Sequence, residues 1–280
     1  MVKRLSLVLA LAAAASGADL TFKEDFEIAG VASKQERTTS VSGSRLAIDS
    51  NDITFIFDPT AKTVTEVDRA RAEFNVMAKP AFQAKLASAR EDLRLSMEED
   101  SAARVHWSDV QISFTEPEPG PRILNVATQW FRWTFKAKME VSQKASPLTP
   151  TVTMTNECAI GKPEGWQQIR RLQSVDFGTE ATPLAVSDEF QKAARQALDR
   201  LAAMEGAMLR CVTRARTEMP AVPGVDIPAA EIETTTEMTS IQPKADPTLF
   251  QIPTDYHAVE FPMTPQRMLT YVALPSAASQ

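Results

Sequence analysis

The chain has only two histidines, His106 and His257, so little imidazole chemistry is open to it. A nucleophilic triad needs a histidine beside a serine and a carboxylate. His106 stands in Arg104-Val105-His106-Trp107 at the start of a strand pattern, and His257 follows Tyr256 in a turn; both read as structural or surface positions. Metal sites built on two or three histidines need more donors than this. Asp49/Asp52 and Glu98/Glu99/Asp100 are the acidic groups nearest to general acid–base pairs, but the second ends an exposed helix and a solvated surface explains it. Cys211 is flanked by Arg210 and Arg214, which are poor bases for a nucleophilic thiol. With 9 glycines the chain shows no Walker or dinucleotide fingerprint. These residues predict a non-enzymatic protein with no metal and no cofactor.

Binding is the chemistry left. Phe131, Trp133, Phe135 and Met139 recur at every second or fourth position beside Trp130. With Phe55, Phe57, Phe82 and Leu86 they are the candidate lining of a hydrophobic cavity. The same residues would equally make a filled core, because ligand pockets and cores are both mostly apolar. Cys158 and Cys211 are the only cysteines. An oxidising compartment permits one disulfide between them, and two separately buried thiols are equally compatible. Their spacing and the scarcity of histidine do not suggest a metal site.

The compartment is indicated by the first residues. Lys3 and Arg4 precede an apolar run from Leu5 to Ala15, and Ser16-Gly17-Ala18 places small residues before Asp19. This is the three-part pattern of a cleavable secretory signal at residues 1–18. The apolar run is about half the ~20 residues a membrane span needs. No cysteine stands at the cut to be lipidated, so the expectation is a soluble exported protein, periplasmic or extracellular, with no transmembrane span. Without the signal, 28 basic residues face 36 acidic ones, a net charge of −8. That sign argues against nucleic acid and against anionic membrane surfaces.

The elements that must position these residues are mostly strands. Period-two alternation marks half-buried strands at Ile53–Phe57, Val110–Thr115 and Phe131–Val141, where the partners of the apolar positions are Arg132, Thr134, Lys136, Lys138 and Glu140. Ser42-Gly43-Ser44, Asp58-Pro59-Thr60 and Asp68-Arg69-Ala70-Arg71 carry turn chemistry. The proline-rich Glu116–Pro121 reads as a stiff connection that no strand crosses. Helical period appears over Lys79–Glu98, with Phe82, Leu86, Ala89 or Arg90, Leu93 and Met97 on one stripe. It appears again over Ser187–Glu205, with Phe190, Ala194, Ala197, Leu201 and Met204, and a short helix is expected over Glu164–Leu172. Ser187 is the expected N-cap and Gly206 the expected stop. Strands resume at Leu209–Thr217 and Glu231–Ile241, and residues 264–280 read as a loose tail.

Several phrases are shared with a known family. Ser42-Gly43-Ser44-Arg45-Leu46-Ala47-Ile48-Asp49 leads into Ile56-Phe57-Asp58, Thr63-Val64-Thr65-Glu66-Val67-Asp68 and Phe74-Asn75-Val76-Met77. Glu237-Met238-Thr239-Ser240-Ile241 leads into Pro247-Thr248-Leu249-Phe250-Gln251-Ile252-Pro253-Thr254-Asp255-Tyr256. These resemble exported bacterial proteins of the domain-of-unknown-function 4412 kind, which in turn resemble the lipoprotein-carrier fold of LolA and LppX. The resemblance spans about residues 20–262 and rests on structural phrases that carry no reactive group. Asp255 departs from the pattern, which favours glycine there, and the family's Gly-Tyr-x-Cys segment is missing near Trp130. The resemblance implies an α+β, mostly β fold: a strongly curved antiparallel sheet, a half-open β-barrel, with two to three helices covering its open side. It further implies a single domain over 19–263 that accepts a lipid or acyl chain between sheet and helices. The other reading is a structural or protein-interaction envelope protein with a filled core; neither names a protein partner.

Overall fold

The structure is a computed structural model that describes residues 19–29, 34–50, 52–100, 104–142, 149–173, 188–220 and 227–261. The expected signal segment, the Ser187 cap and the C-terminal tail lie outside the described residues. Strands dominate: β1 (Leu20–Ile28), β2 (Lys34–Ser42), β3 (Arg45–Ser50), β4 (Ile53–Asp58), β5 (Thr63–Asp68), β6 (Glu73–Ala78), β7 (Arg104–Phe114), β8 (Glu118–Ile123), β9 (Val126–Ser142), β10 (Thr151–Gly161), β11 (Ala207–Glu218), β12 (Ala230–Gln242) and β13 (His257–Ala258). Three helices are described, α1 (Lys79–Asp100), α2 (Trp166–Gln173) and α3 (Asp188–Ala203), with one 3-10 turn, η1 (Pro247–Phe250).

The chain divides into two compact units. The first comprises the described parts of residues 1–25, 35–85 and 238–263, and the second those of 26–34, 86–237 and 264–280. β1 and β12 run through both. In the first unit the strand order is β13-β6-β5-β4-β3-β2-β1-β12; in the second it is β1-β12-β11-β10-β9-β7, with β8 beside β9. Neither order returns to its start, so the pairing is not closed. It is antiparallel in the registers from β2 to β6 and from β7 to β12, but β13 joins β6 in parallel, with His257 opposite Glu73. The sheet is therefore mixed where the sequence implied antiparallel pairing throughout. A two-residue strand after a long return loop carries no periodicity that would reveal its direction.

In the first unit the hairpins follow from their turn residues. Gly43 takes φ +58° between Ser42 and Arg45, which pair, a conformation that glycine reaches without a Cβ clash. Asp58 Oδ1 accepts from the backbone amides of Thr60 and Ala61, both at 2.9 Å, and so stiffens the next turn. The strands alternate strictly. Ile48 faces Phe55, and Phe57 faces Val64, which faces Met77. The opposite face carries Ala47, Ile56 and Val67, packed against Leu249 and Phe250 of η1.

In the second unit β9 is 17 residues long and alternates as the sequence predicts. Phe131, Phe135 and Ala137 are buried while Lys136 and Lys138 are exposed. Ala193 of α3 packs with Trp107, Phe135 and Val152, and Leu201 and Met204 pack against Phe131, Cys158 and Ile160. Ala193, Ala197 and Leu201 of α3, with Met204 just past its end, lie on the packed side; the side chains of Phe190 and Ala194, expected on the same stripe, lie outside the described residues. α2 anchors both α3 and β11. Arg170 donates to the carbonyls of Leu201 and Gly206, and the Gln173 amide makes a two-way pair with the Met208 backbone at 2.8 and 3.0 Å. Arg170 thereby satisfies a carbonyl in the last turn of α3.

One expectation is overturned. Glu118–Ile123 is a strand despite Pro119 and Pro121, and it pairs with β9 at Glu118–Trp130, Pro119–Gln129, Arg122–Ala127 and Ile123–Val126. β8 is paired on one side and its register breaks between Pro119 and Arg122, so the missing amides leave no hole in the ladder. Leu124 and Asn125 both have positive φ, the geometry of a tight two-residue hairpin turn.

Candidate functional site

The predicted apolar lining falls into separate clusters. In the first unit Phe55, Phe57 and Phe82 form one aromatic group. The Phe82 ring meets Phe55 at 6.3 Å and Phe57 at 5.7 Å, both edge-on, a geometry that suits the ring quadrupoles. In the second, Phe131 lies 5.1 Å from Trp133 and 6.2 Å from Phe114, while Phe135 contacts Trp107 at 6.5 Å. Phe55 and Phe82 are 1% exposed, Leu86 3%, Phe131 4% and Phe135 6%. Phe57, Trp133 and Met139 are only partly buried.

The second unit also holds apolar residues that the expected cavity lining did not include. Phe114, Met154, Leu201, Met204 and Met208 are partly buried around the Phe131 and Phe135 clusters. With Trp133 and Met139 they make a layer between β7, β9 and β10 on one side and α3 on the other. Arg200 of α3 lies over the Phe114 ring at 4.1 Å, close enough for a cation–π contact. The strand period places Met154 on the same face as Phe135, which it opposes in register. Methionine is flexible and polarisable and fills irregular apolar space.

Cys158 and Cys211 are bonded. They sit directly opposite each other on β10 and β11 with Cα atoms 4.0 Å apart, and Phe131 is the next residue across on β9. Neither is a nucleophile or ligand in this form. A structural disulfide of this kind persists in an oxidising compartment.

The other face of the second unit is charged. Arg132 pairs with Glu118 and, at 2.9 Å, with Glu157. Glu157 pairs with Arg214 at 2.5 Å, and Arg214 with Glu233 at 2.6 Å. The Arg214 hydrogen bond, aided by its charge and that of Arg132, holds the Glu157 carboxyl below its ordinary value despite partial burial. Such a chain of compensated charges links neighbouring strands across their exposed face.

A polar cleft of about 410 Å³ opens in the first unit between the sheet and the loop that follows β12. Asp49 accepts from Thr54 at 2.8 Å and from Arg69 at 3.1 Å, and Arg69 also donates to Thr54 at 2.8 Å. Lys23 donates to Glu36 at 3.0 Å. Asp246 completes the roof. The sequence reading weighed Asp49 only with Asp52, which lies in the β3–β4 turn at φ 67°. Its true partner Arg69 is 20 residues away, so only the register of β3, β4 and β5 reveals the pair.

Among the described residues no cluster of three or more histidine, cysteine, aspartate or glutamate side chains could hold a metal ion, and no helix is long and apolar enough to cross a membrane. His257 is exposed on β13, and His106 pairs through its backbone with Glu140. The chain matches no family model, and no curated protein sequence is significantly similar to it.

Proposed function

We propose that this chain is an exported, non-enzymatic protein of the cell envelope that holds a lipid or other acyl-chain ligand against β9 and β10 beneath α3. The observation that supports this reading most is the half-exposed state of Trp133, Met139, Met154 and Met204 beside a closed aromatic core. Apolar side chains left partly open next to one another, with methionines among them, suit a ligand of variable shape. The Phe55–Phe57–Phe82 group is packed ring on ring and serves the fold, which narrows the expected lining to the second unit. The family resemblance to lipoprotein carriers supports the same reading. It adds the finer proposal of a strongly curved, half-open sheet, with export directed by residues 1–18 into the periplasm or beyond.

The test is extraction of the purified mature protein with organic solvent, followed by mass spectrometry and titration with a fluorescent fatty acid. We expect stoichiometric lipid or saturable binding. Met154→Asp and Met204→Asp should each weaken that binding at least about tenfold, because a carboxylate is costly to desolvate against an acyl chain. A clean extract and no fatty-acid binding would assign the layer to core packing, and the protein to a structural or interaction role.

A further inference from the structure

One buried polar side chain interrupts the apolar layer of the second unit. Asn156 lies on β10 between Met154 and Cys158, and the strand period puts the three on one face. Its cross-strand neighbours on that face are Trp133 on β9 and Thr213 on β11. Asn156 is only 6% exposed. Its Oδ1 accepts from the Thr213 hydroxyl at 2.8 Å. Among the described residues its Nδ2 donates to nothing. A side-chain amide carries two N–H donors. A buried donor left without an acceptor costs free energy comparable to the hydrogen bond it lacks, and native structures seldom leave one so. Nδ2 is nevertheless not sealed from the molecular surface, so an incoming acceptor can reach it.

The surroundings define that acceptor. Met154, Cys158, Trp133 and Thr213 carry no charge, and Thr234, opposite Thr213 on β12, adds a half-buried hydroxyl. Arg200 is engaged over the Phe114 ring, and Phe114 opposes Trp133 on the side of β9 away from β10. A carboxylate or phosphate at Asn156 would thus lose its water with no countercharge beside it, which costs far more than desolvating a neutral group. A carbonyl oxygen is neutral, needs only a donor, and in an ester follows directly on the acyl chain. The hydroxyls of Thr213 and Thr234 continue the polar strip across β11 and β12 and suit an alcohol portion with hydroxyls of its own. Resting on the acyl-chain reading above, we propose that the ligand of this layer is a neutral acyl ester whose carbonyl oxygen accepts from Asn156 Nδ2.

Displacement of Nile red from the full mature chain by 1-monooleoylglycerol, oleate and 1-octadecene, whose chains are of equal length, tests the proposal. The ester should displace the dye about tenfold more tightly than either of the others, as one hydrogen bond to a buried donor predicts. The double variant Asn156→Leu/Thr213→Val removes both members of the polar pair and leaves neither orphaned. It should bring ester and hydrocarbon to equal affinity, with a thermal melt confirming that it folds. Asn156→Asp, which keeps the acceptor for Thr213 and loses the donor, should lose the same preference. Equal displacement by all three probes in the parent would overturn the proposal and leave the acyl-chain reading standing, as would tighter binding of oleate or an ester preference that survives in the variants. Should none of the three displace the dye, the acyl-chain reading falls together with this one.

Discussion

Glu157 stands between two guanidinium groups, and its titration is the residue-scale property most open to measurement. Its carboxyl is depressed first by the Arg214 hydrogen bond and then by the charges of Arg214 and Arg132. A carboxyl with a lowered folded pKa stabilises the fold above its unfolded value and loses that contribution as pH falls through the folded one. Glu157→Gln should therefore lower Tm at neutral pH, by the equivalent of about 1 kcal/mol or less for a part-exposed pair. The gap from the parent should close as pH drops below about 4. A gap that stays constant from neutral to acid pH would show that charge is not its cause. Gly206 makes a steric prediction. It takes φ +135°, and a Cβ there would stand 2.5 Å from the Gly161 carbonyl oxygen. Gly206→Ala combines backbone strain with that overlap and should cost at least roughly 1–3 kcal/mol. Thermal melts should show a loss of several degrees; a Tm unchanged from the parent would contradict the geometry.

Among the elements, β10 and β11 share the only covalent tie. The disulfide joins positions that already oppose each other in register and spans 53 residues of chain, including α2 and α3. A bond of that span stabilises chiefly by restricting the unfolded chain, by about 2–4 kcal/mol. The double variant Cys158→Ala/Cys211→Ala should melt lower by a corresponding amount, and the oxidised parent should yield no labelled thiol under denaturing, non-reducing conditions. Recovery of two reactive thiols there would refute the bond. α3 depends on α2 for its end: Arg170, partly desolvated and with its pKa lowered for that reason, donates to the Leu201 and Gly206 carbonyls. The β8 strand shows how far an element can override local propensity. Two prolines pointed away from strand, and a one-sided pairing with β9 tolerated both.

At the scale of the whole molecule, the strands β1 and β12 and the helix α1 each contribute residues to both units. All four tryptophans, Trp107, Trp130, Trp133 and Trp166, belong to the second unit, so their fluorescence reports its unfolding alone. Far-UV circular dichroism reports strands from both. Because two strands run uninterrupted through the units, we expect the two signals to trace one coincident thermal transition. Two separated transitions would show that the units unfold independently.

Much of the architecture was legible from the residue pattern. Alternation placed Phe131, Trp133, Phe135 and Met139 on one face of β9, and the three-to-four spacing placed Phe82 and Leu86 on the buried side of α1, because strand and helix each impose a fixed period on any chain that buries one face. Turn residues such as Gly43 and Asp58 marked hairpins for equally local reasons. The tertiary structure decided what local rules cannot reach. Whether Cys158 met Cys211, which expected lining residues closed into cores and which stayed half open, and that Asp49 would find Arg69 beneath a loop pinned by Thr21 and Ser40 all depend on register and chain return. Those contacts join residues far apart in sequence, and no periodicity records them.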